Sequence, residues 1–462
     1  MMQSSRPDTL AELTLSAADG RASLSIAVVV QALVLVLITA NLGRIPLVST
    51  GDHDAPLLLN DVAVIAMVLL GGTVCIAARS LRLDRVSIAG LLFAFIGGLS
   101  AVYHAQVYDF SAFELAFSLA FLARWLLYFA IYLIVINVVR QVDVTAVWKA
   151  LEAALLIVAG FGVIQSAFLP GFAQMVYPDS RAFVDWDIQG HRLVSTILEP
   201  NIAAAMLLAG LLVELAQLAV GVKVRMWKPL LLLTALVLTL SRSAAAGLVA
   251  GIAVILVARG LSKRLLRAMG VVGALGLALS PKLIAFGIAY GKFSTGGSAA
   301  LRLISWARAW DVLREHPWFG VGFNTFGYVE QRAGVEALGS SAYSSDGGLL
   351  FVAVMTGAIG LAVYLWMLWA IIVRCRRTWK NTSIAAEGRA IAIGAAAFTI
   401  ALCVDSVFVN SLLTTFVMEL MWLLLGLAFV AGVNAPPAPV RRRGGHMVGQ
   451  ALLSPGWISR RA

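Results

Sequence analysis

Three arginines, Arg192, Arg242 and Arg302, lie where hydrophobic stretches of the chain meet polar ones. The arginine side chain presents a rigid fork of donors that suits phosphate oxygens, singly or in pairs. Several such forks converging at a membrane surface would suit a lipid-linked diphosphate. Arg242 stands in a very short turn between two hydrophobic stretches, which favours a functional role. For Arg192 and Arg302, this role and simple snorkelling at an interface are equally good interpretations.

Two carboxylates accompany these arginines. Glu199 follows Arg192 in the segment HRLVSTILEPN, and Asp346 closes a long polar loop. A carboxylate beside a reacting hydroxyl can remove its proton as a general base. For Asp346, capping of the helix that follows it is an equally good interpretation. The sequence has no nucleotide-binding loop, zinc signature or nucleophile elbow, and its three cysteines lack metal-binding spacing. We therefore expect a site of arginines and carboxylates, with no metal and no cofactor.

The composition places the chain in a membrane. Of its 462 residues, 60% are hydrophobic and 13% are charged, whereas soluble domains are about half apolar and about a quarter charged. The net charge of +11 comes mainly from Lys and Arg in short loops beside hydrophobic stretches, as the positive-inside rule predicts. We therefore expect no nucleic-acid partner.

The hydrophobic stretches predict an all-α polytopic membrane protein. A spanning helix needs about 20 apolar residues, and the chain contains about twelve such stretches, some of them short. The predicted spans are 23–42, 57–78, 87–103, 110–139, 148–170, 197–221, 228–241, 243–259, 268–289, 348–373, 388–408 and 411–433.

Lys and Arg concentrate in alternate loops, which the positive-inside rule assigns to the cytoplasm. Both termini then lie in the cytoplasm, with 1–22 as a polar tail and 434–462 as a disordered tail rich in Pro, Gly and Arg. Between them, 23–433 forms one transmembrane domain. The opposite loops, among them 171–196 and 290–347, face outward.

The loop 290–347 is the only long polar interruption of the hydrophobic pattern. Its segment RLISWARAWDVLREH predicts a short amphipathic helix that ends at His316-Pro317, because the residue before proline disfavours the helix. An irregular loop, GVGFNTFG, follows. A structured loop of this length in a membrane protein is typically functional. The apolar residues at helical spacing are Leu303, Trp306, Trp310 and Leu313.

Other charged residues favour structural roles. Arg308 and Arg314 of the loop helix are expected to snorkel or to pair locally. Arg124 lies near the middle of a long span, where an ion pair with a carboxylate is the expected role. The remaining ionisable residues within spans are Asp61, Glu114, Glu152, Glu214, Asp405 and Glu419.

Taken together, these features resemble the O-antigen ligase/polymerase superfamily of bacterial polysaccharide export. The resemblance rests on the polytopic outline, on one large outward loop late in the chain, and on the order of four motifs. It covers roughly residues 110–375. The motifs are HRLVSTILEPN, LTLSRSAAAGLVAG, RLISWARAWDVLREHPWFGVGFNTF and SDGGLLFVAVMTGAIGLAVYL.

The resemblance implies an inverting, metal-independent membrane glycosyltransferase with an all-helical fold. Its donor would be a glycan on undecaprenyl diphosphate, presented at the periplasmic face of the bacterial inner membrane. By position, Arg192, Arg242 and Arg302 match the arginines that the family assigns to the diphosphate. Chain-length regulators and export proteins are further candidate partners.

One departure from the family pattern bears on the reaction. In ligases of this family, the segment after the loop typically begins with His-Asn. Counting back from Gly357, the corresponding residues here are Asp346-Gly347. Polymerases of the family often carry an acidic residue at such a place. The resemblance therefore favours a polymerase of exopolysaccharide or O-antigen repeat units, with an O-antigen ligase that transfers finished glycan to lipid A–core as the alternative.

A different class of function is a transporter of lipid-linked glycan. Such a protein would need a polar pathway and paired broken helices. The sequence shows no internal repeat and no inverted pair of interrupted spans. A structural scaffold, the third class, would not need arginines in tight outward turns. The enzyme is therefore the favoured class.

The charge pattern predicts an orientation that labelling can test. Single cysteines introduced at positions 296 and 340 should react with an impermeant reagent from the periplasmic side, because both lie in the outward loop 290–347. Labelling of both positions only from the cytoplasmic side would invert the topology and remove the basis of the functional interpretation.

Overall fold

The structure is a computed structural model that describes residues 27–43, 46–50, 53–78, 81–176, 192–260, 267, 270, 298–335 and 347–433. Four sequence predictions lie outside these residues. They are the two tails 1–22 and 434–462, the span 268–289 apart from Gly270, and the candidate base Asp346.

Helices dominate the described residues. Nine of them are long and apolar enough to span a membrane, and two shorter apolar helices accompany these nine in the described ranges. In chain order the elements are α1 (Ala27–Leu42), β1 (Pro46–Thr50), β2 (His53–Leu58), α2 (Leu59–Ala77), α3 (Arg85–Val107), α4 (Ala112–Val138), α5 (Val144–Phe168), α6 (Phe172–Val176), α7 (Pro200–Val220), α8 (Trp227–Leu238), α9 (Arg242–Arg259), α10 (Ser298–Glu315), α11 (Phe326–Arg332), α12 (Gly348–Lys380), α13 (Ala386–Asp405) and α14 (Thr415–Val433).

Each predicted span other than 268–289 coincides with one of the eleven apolar helices. The all-α polytopic fold class is therefore confirmed, while the total number of spans stays a prediction. The sequence did not predict the short β1–β2 hairpin, whose two strands pair antiparallel between α1 and α2.

Helix α7 forms the centre of the bundle, since every residue from Ile202 to Ala219 is buried. Helix α13 packs against both α7 and α9. A Cβ on Gly394 would lie 2.8 Å from the Val213 Cα, and one on Gly247 would lie 2.8 Å from the Ala401 carbonyl oxygen. Small residues let membrane helices approach this closely. The start of α9, the end of α13 and the start of α7 are thereby brought together.

A buried polar network joins α2, α4 and α14. Arg124 donates from Nε to Asp61 at 3.0 Å and forms an ion pair with the same carboxylate. Tyr128 also donates to Asp61, at 2.9 Å, and Asn60 donates to Glu419 at 2.7 Å. A charge within a membrane span needs such a partner. Asp61 is thus the carboxylate that the sequence predicted for Arg124.

Helix α12 is interrupted at Gly357, whose φ of 65° and ψ of −171° are not helical. The segment that follows α10 fills the interruption with its own backbone. Pro317 accepts from the Ala358 N–H at 2.8 Å, and the Val321 N–H donates to Val354 at 2.8 Å. Backbone groups at membrane depth must be paired within the protein. These bonds therefore fasten the segment that follows α10 to the helical bundle.

The loop helix α10 forms where the sequence predicts it, but Leu303 and Trp310, two of its large apolar residues, do not point into the protein. Leu303 and Trp310 are 62% and 49% exposed, whereas Ser305 and Ala309 are buried. Helix α10 packs on α12, and its small residues permit that approach. Exposed leucine and tryptophan suit the boundary between membrane and water.

Gly357 gives a test of this architecture. The backbone conformation at Gly357 is open essentially to glycine alone, and a Cβ there would lie 2.1 Å from the Trp318 carbonyl carbon. We expect Gly357→Ala to destabilise the purified protein by about 2 kcal/mol or more, measured as a lower thermal midpoint.

Gly72→Ala is the matched control, because Gly72 lies in α2 and a Cβ there meets nothing within 4 Å. Alanine in a helix interior is at least as favourable as glycine. Equal midpoints for the Gly357 and Gly72 variants would show that the interruption is not structurally required.

Candidate active site

The segment that precedes α7 is held in place by Gln165 of α5. The Gln165 side chain donates to the Arg192 carbonyl at 3.2 Å and accepts from the Val194 N–H at 2.9 Å and the Ser195 N–H at 3.2 Å. Ser195 also donates to the Val158 carbonyl at 2.8 Å. One buried amide thus satisfies an irregular stretch of backbone that would otherwise be unpaired. It sets where Arg192 and the start of α7 can lie.

Arg192 and its neighbour complete the end of α8. The Arg192 Nε donates to the Thr239 carbonyl at 2.9 Å, and the Leu193 N–H donates to the Leu238 carbonyl at 2.9 Å. The last carbonyls of a helix lack partners within it and favour a nearby cation. Arg192 is only 7% exposed. It therefore supports the turn between α8 and α9.

That turn presents Arg242. It runs from Thr239 to Ser241, with Leu240 in the left-handed region at φ 56°. Ser241 is the N-cap of α9, and its hydroxyl accepts from the Ala244 N–H. Arg242 is the first residue of the helix and is exposed. Among the described residues, no hydrogen bond or ion pair engages its guanidinium group.

Glu199 is the N-cap of α7. Its Oε2 accepts from the Ile202 N–H, and its Oε1 accepts from the Asn201 side chain at 2.9 Å. Carboxylates are favourable at helix N-termini, where N–H groups lack partners. Glu199 is also buried, with only 8% of its surface exposed. Both of its oxygens are thus engaged in shaping the start of α7.

Glu199 begins a chain of hydrogen bonds that passes from α7 to α9. The Asn201 Oδ1 accepts from the Ser241 hydroxyl at 3.0 Å. The Ser241 Oγ lies 3.2 Å from the Ser243 Oγ. Asn201, Ser241 and Ser243 therefore couple the two helix starts that flank Arg242.

The end of α13 lies beside Ser243. Gly247 of α9 approaches Ala401 of α13 closely, and Ser243 and Asp405 lie one turn further along this contact. Asp405 accepts at Oδ2 from Ser411, which precedes α14. Asp405 is fully buried. Its Oδ1 has no hydrogen-bonding partner in the described part of the chain. We call these neighbouring residues the polar chain, which comprises Glu199, Asn201, Ser241, Ser243, Asp405 and Ser411.

Arg302 reaches this region from the loop helix. Its charge acts on Asp405, as does that of Glu199. The Arg302 side chain is half-buried, and its guanidinium donates no hydrogen bond within the described ranges. Arg242 and Arg302 thus keep their donors uncommitted, whereas Arg192 does not.

The start of α12 lies against the end of α13. The Gly348 N–H donates to the Ser406 carbonyl at 2.6 Å. The Trp306 Nε1 lies 3.1 Å from where a Cβ on Gly347 would be, and the Trp306 ring is 6.2 Å from that of Phe408. Gly347, the neighbour of the candidate base Asp346, therefore lies next to the end of α13. Asp346 itself is outside the described residues.

The other loop arginines have local partners. Arg308 lies 3.9 Å from the Glu330 carboxylate, and Arg314 lies over the Trp310 ring at 5.7 Å. Burial raises the pKa of Glu330, and the charge of Arg308 offsets part of that rise. These contacts agree with the structural roles expected for both arginines.

Asp405 and the serines of the polar chain were not among the predicted site residues. The sequence had marked Asp405 only as an ionisable residue within a span. The signal that could have found it is its position near the end of the span 388–408. The charge pattern assigns that end to the same side of the membrane as the loop 290–347, which carries Arg302. No three His, Cys, Asp or Glu side chains of the described ranges are grouped closely enough to hold a metal ion.

The fold and the site define a polytopic, all-helical membrane protein with uncommitted arginines at one end of the bundle. The family model for O-antigen ligase matches residues 230–365, a segment from α8 to α12 that contains Arg242, Arg302 and Asp346. The resemblance to the O-antigen ligase/polymerase superfamily is thereby confirmed. The match supports a function of this type in general, and thus a glycan-transferring membrane enzyme. A search of curated proteins finds no match.

The uncommitted arginines generate a prediction about activity. We expect Arg242→Ala and Arg302→Ala each to abolish product formation in a complementation assay while the protein accumulates normally. Lysine at either position should restore activity only in part, because it lacks the bidentate fork. Arg192→Ala should also abolish product, with a lower thermal midpoint because the Thr239 carbonyl loses its donor.

Arg314→Ala serves as the control for these variants. Arg314 lies on the same loop helix but is exposed and engaged with Trp310, so its loss should leave activity close to wild type. Full activity of Arg242→Ala or Arg302→Ala would remove that arginine from the site.

Proposed function

We propose that the protein polymerises oligosaccharide repeat units carried on undecaprenyl diphosphate into a bacterial surface polysaccharide. The observation that carries this proposal is the placement of Arg242 and Arg302. Arg242 adjoins Ser241 and Ser243. Arg302 lies one turn before Trp306, whose ring is next to that of Phe408 beyond the end of α13. Neither guanidinium has a hydrogen bond to the described residues. A diphosphate at the membrane surface is the ligand class that such donors fit.

In the proposed reaction, a sugar hydroxyl of the acceptor attacks the anomeric carbon of the donor. The bond between that carbon and the diphosphate oxygen breaks, and the lipid diphosphate leaves. The configuration at the anomeric carbon is thereby inverted. A carboxylate takes the hydroxyl proton. Arg242 and Arg302 stabilise the negative charge that develops on the leaving group, which is why the proposed reaction needs no metal.

Asp346 is the better candidate for the general base. Glu199 was the other candidate, but both of its oxygens accept hydrogen bonds at the start of α7. The N-cap of α12 is Gly347, so the capping position is not that of Asp346. This supports a role for Asp346 beyond helix capping.

The orientation of the protein is part of the proposal. The arginine-bearing end of the bundle faces the periplasm, and the inner membrane of a bacterium holds the domain 23–433. The tails 1–22 and 434–462 lie in the cytoplasm. Chain-length regulators and export proteins are proposed partners at the periplasmic side.

Ligase activity is the second candidate, because the matching family model is described as O-antigen ligase. The acid at position 346, where ligases typically carry histidine, favours the polymerase. A transporter would need paired interruptions of its helices. The described helices have one interruption, at Gly357, and backbone from the loop fills it.

The glycan profile of a deletion strain tests the proposal. A polymerase deletion should remove long polymer while single repeat units are still made, exported or retained, as gel analysis of surface glycans would show. Long chains held on undecaprenyl diphosphate, together with bare lipid A–core, would identify a ligase instead.

Complementation of that strain then tests the base. Asp346→Asn should restore little polymer, because an amide cannot accept the proton at working pH. Glu419→Gln is the control, since Glu419 is buried away from the polar chain and its amide can still accept from Asn60. Wild-type polymer with Asp346→Asn would remove the carboxylate from the chemistry.

A further inference from the structure

Trp306 of the loop helix α10 touches the start of α12. Its Nε1 lies 3.1 Å from where a Cβ on Gly347 would be, and its Cδ1 lies 3.6 Å from the same point. The Val407 carbonyl oxygen is 3.3 Å from that point. Gly347 is the N-cap of α12 and has a positive φ of 91°. The indole therefore lies against the face of Gly347 that a side chain at this position would occupy.

The Trp306 ring also contacts the segment that follows α13. Its centroid is 6.2 Å from that of the Phe408 ring, and the two rings are inclined at 38°. In the same region the Gly348 N–H donates to the Ser406 carbonyl. Aromatic pairs at this separation contribute to stability beyond the area that they bury. Trp306 therefore seats α10 on the junction where α12 begins and α13 has just ended.

This seat depends on the packing of the ring and not on its polar group. The Trp306 Nε1 is buried and has no hydrogen-bonding partner in the described part of the chain. A buried donor without a partner costs free energy. Stability alone would therefore favour a ring without an N–H group here. What the indole contributes to the described structure is its size and shape.

Arg302 lies on α10 four residues before Trp306. Residues four apart share one face of a helix and are about 6 Å apart along its axis. Both side chains are half-buried, and Ser305 and Ala309 of the same face are buried, whereas Leu303 is 62% exposed. The face that α10 turns to the bundle thus carries Arg302, and Trp306 one turn later. Because a helix is rigid over one turn, the seat of Trp306 decides where the Arg302 side chain begins.

We propose that Trp306 is a positioning residue that places Arg302 for the diphosphate of the lipid-linked donor. This inference rests on the proposed function of Arg302. Trp306 acts through helix α10 and binds no part of the diphosphate itself. Loss of its ring therefore displaces the Arg302 guanidinium without removing it. A misplacement of about 1 Å in a site of this kind can lower a rate about 100-fold.

Double variants distinguish the positioning of Arg302 from a general loosening of the site. If Trp306 acts through Arg302, its loss has no further effect once Arg302 is absent. The same loss still adds to that of Arg242, which stands on a different helix, α9. General loosening would disturb both arginines, so that the loss of Trp306 would weaken binding further in either background.

The test measures binding of undecaprenyl diphosphate to the full-length protein in lipid nanodiscs. We expect Trp306→Ala to weaken binding about tenfold, the size of one lost hydrogen bond to a charged group, and to cause no further loss in the background of Arg302→Ala. Trp306→Phe keeps a ring and lacks the N–H group, so it should recover most of the binding. Trp310→Ala is the matched control, because Trp310 lies one turn further along α10 and is 49% exposed. It should bind as wild type does.

Wild-type binding by Trp306→Ala would overturn the inference, provided that Arg302→Ala weakens binding. A further loss on adding Trp306→Ala to Arg302→Ala would also overturn it, as would equally weak binding by Trp306→Phe and Trp306→Ala. If wild type fails to bind, or if Arg242→Ala and Arg302→Ala bind as wild type does, the proposed function fails and the inference with it. The two failures are therefore distinguishable.

Thermal midpoints of all variants accompany the binding data, and binding is measured well below the lowest midpoint. Where Trp306→Ala does not accumulate, Phe408→Ala replaces it, because that variant keeps Trp306 and removes the ring beside it. Positioning predicts weaker binding for Phe408→Ala, again with no further loss in the background of Arg302→Ala. Unchanged binding by Phe408→Ala would contradict it.

Discussion

The requirement that buried backbone polar groups find partners organises this protein. In an apolar bundle an unpaired N–H or C=O group is costly, so every helix end and interruption must be completed by the chain itself. Arg192 and Leu193 complete the end of α8, and Glu199 completes the start of α7. Loop backbone from Pro317 onward completes the interruption of α12 at Gly357. These hydrogen bonds lie where polar loops meet the membrane helices, and the candidate site lies among them.

This constraint separates the arginines into two groups. Arg192 donates to a helix-end carbonyl and is almost fully buried, so it is part of the framework that presents the next turn. Arg242 and Arg302 stand on helices whose ends and packing are secured by other residues. Their donors remain available to a ligand because the structure does not need them.

The ionisable residues within the spans show the same principle of compensation. Asp61 meets Arg124, Glu152 meets Lys228, and Glu114 meets Arg332 at 2.7 Å. Asp405 differs from these, because no ion pair engages it among the described residues and the Ser411 hydroxyl donates to it.

Hydrophobic length and charge alternation along the chain determined the fold class and the position of each described span, because the membrane imposes a minimum apolar length on any helix that crosses it. The sequence also marked Arg242 and the amphipathic loop helix, since both interrupt the apolar pattern locally. The tertiary structure alone decided which groups meet. Asp61 and Arg124 are 63 positions apart, and Ser243 lies near Asp405 only because α9 packs on α13. Such meetings depend on helix packing through small residues, which leaves no periodic signal in the chain, and so the polar chain around Asp405 could not be predicted from the sequence.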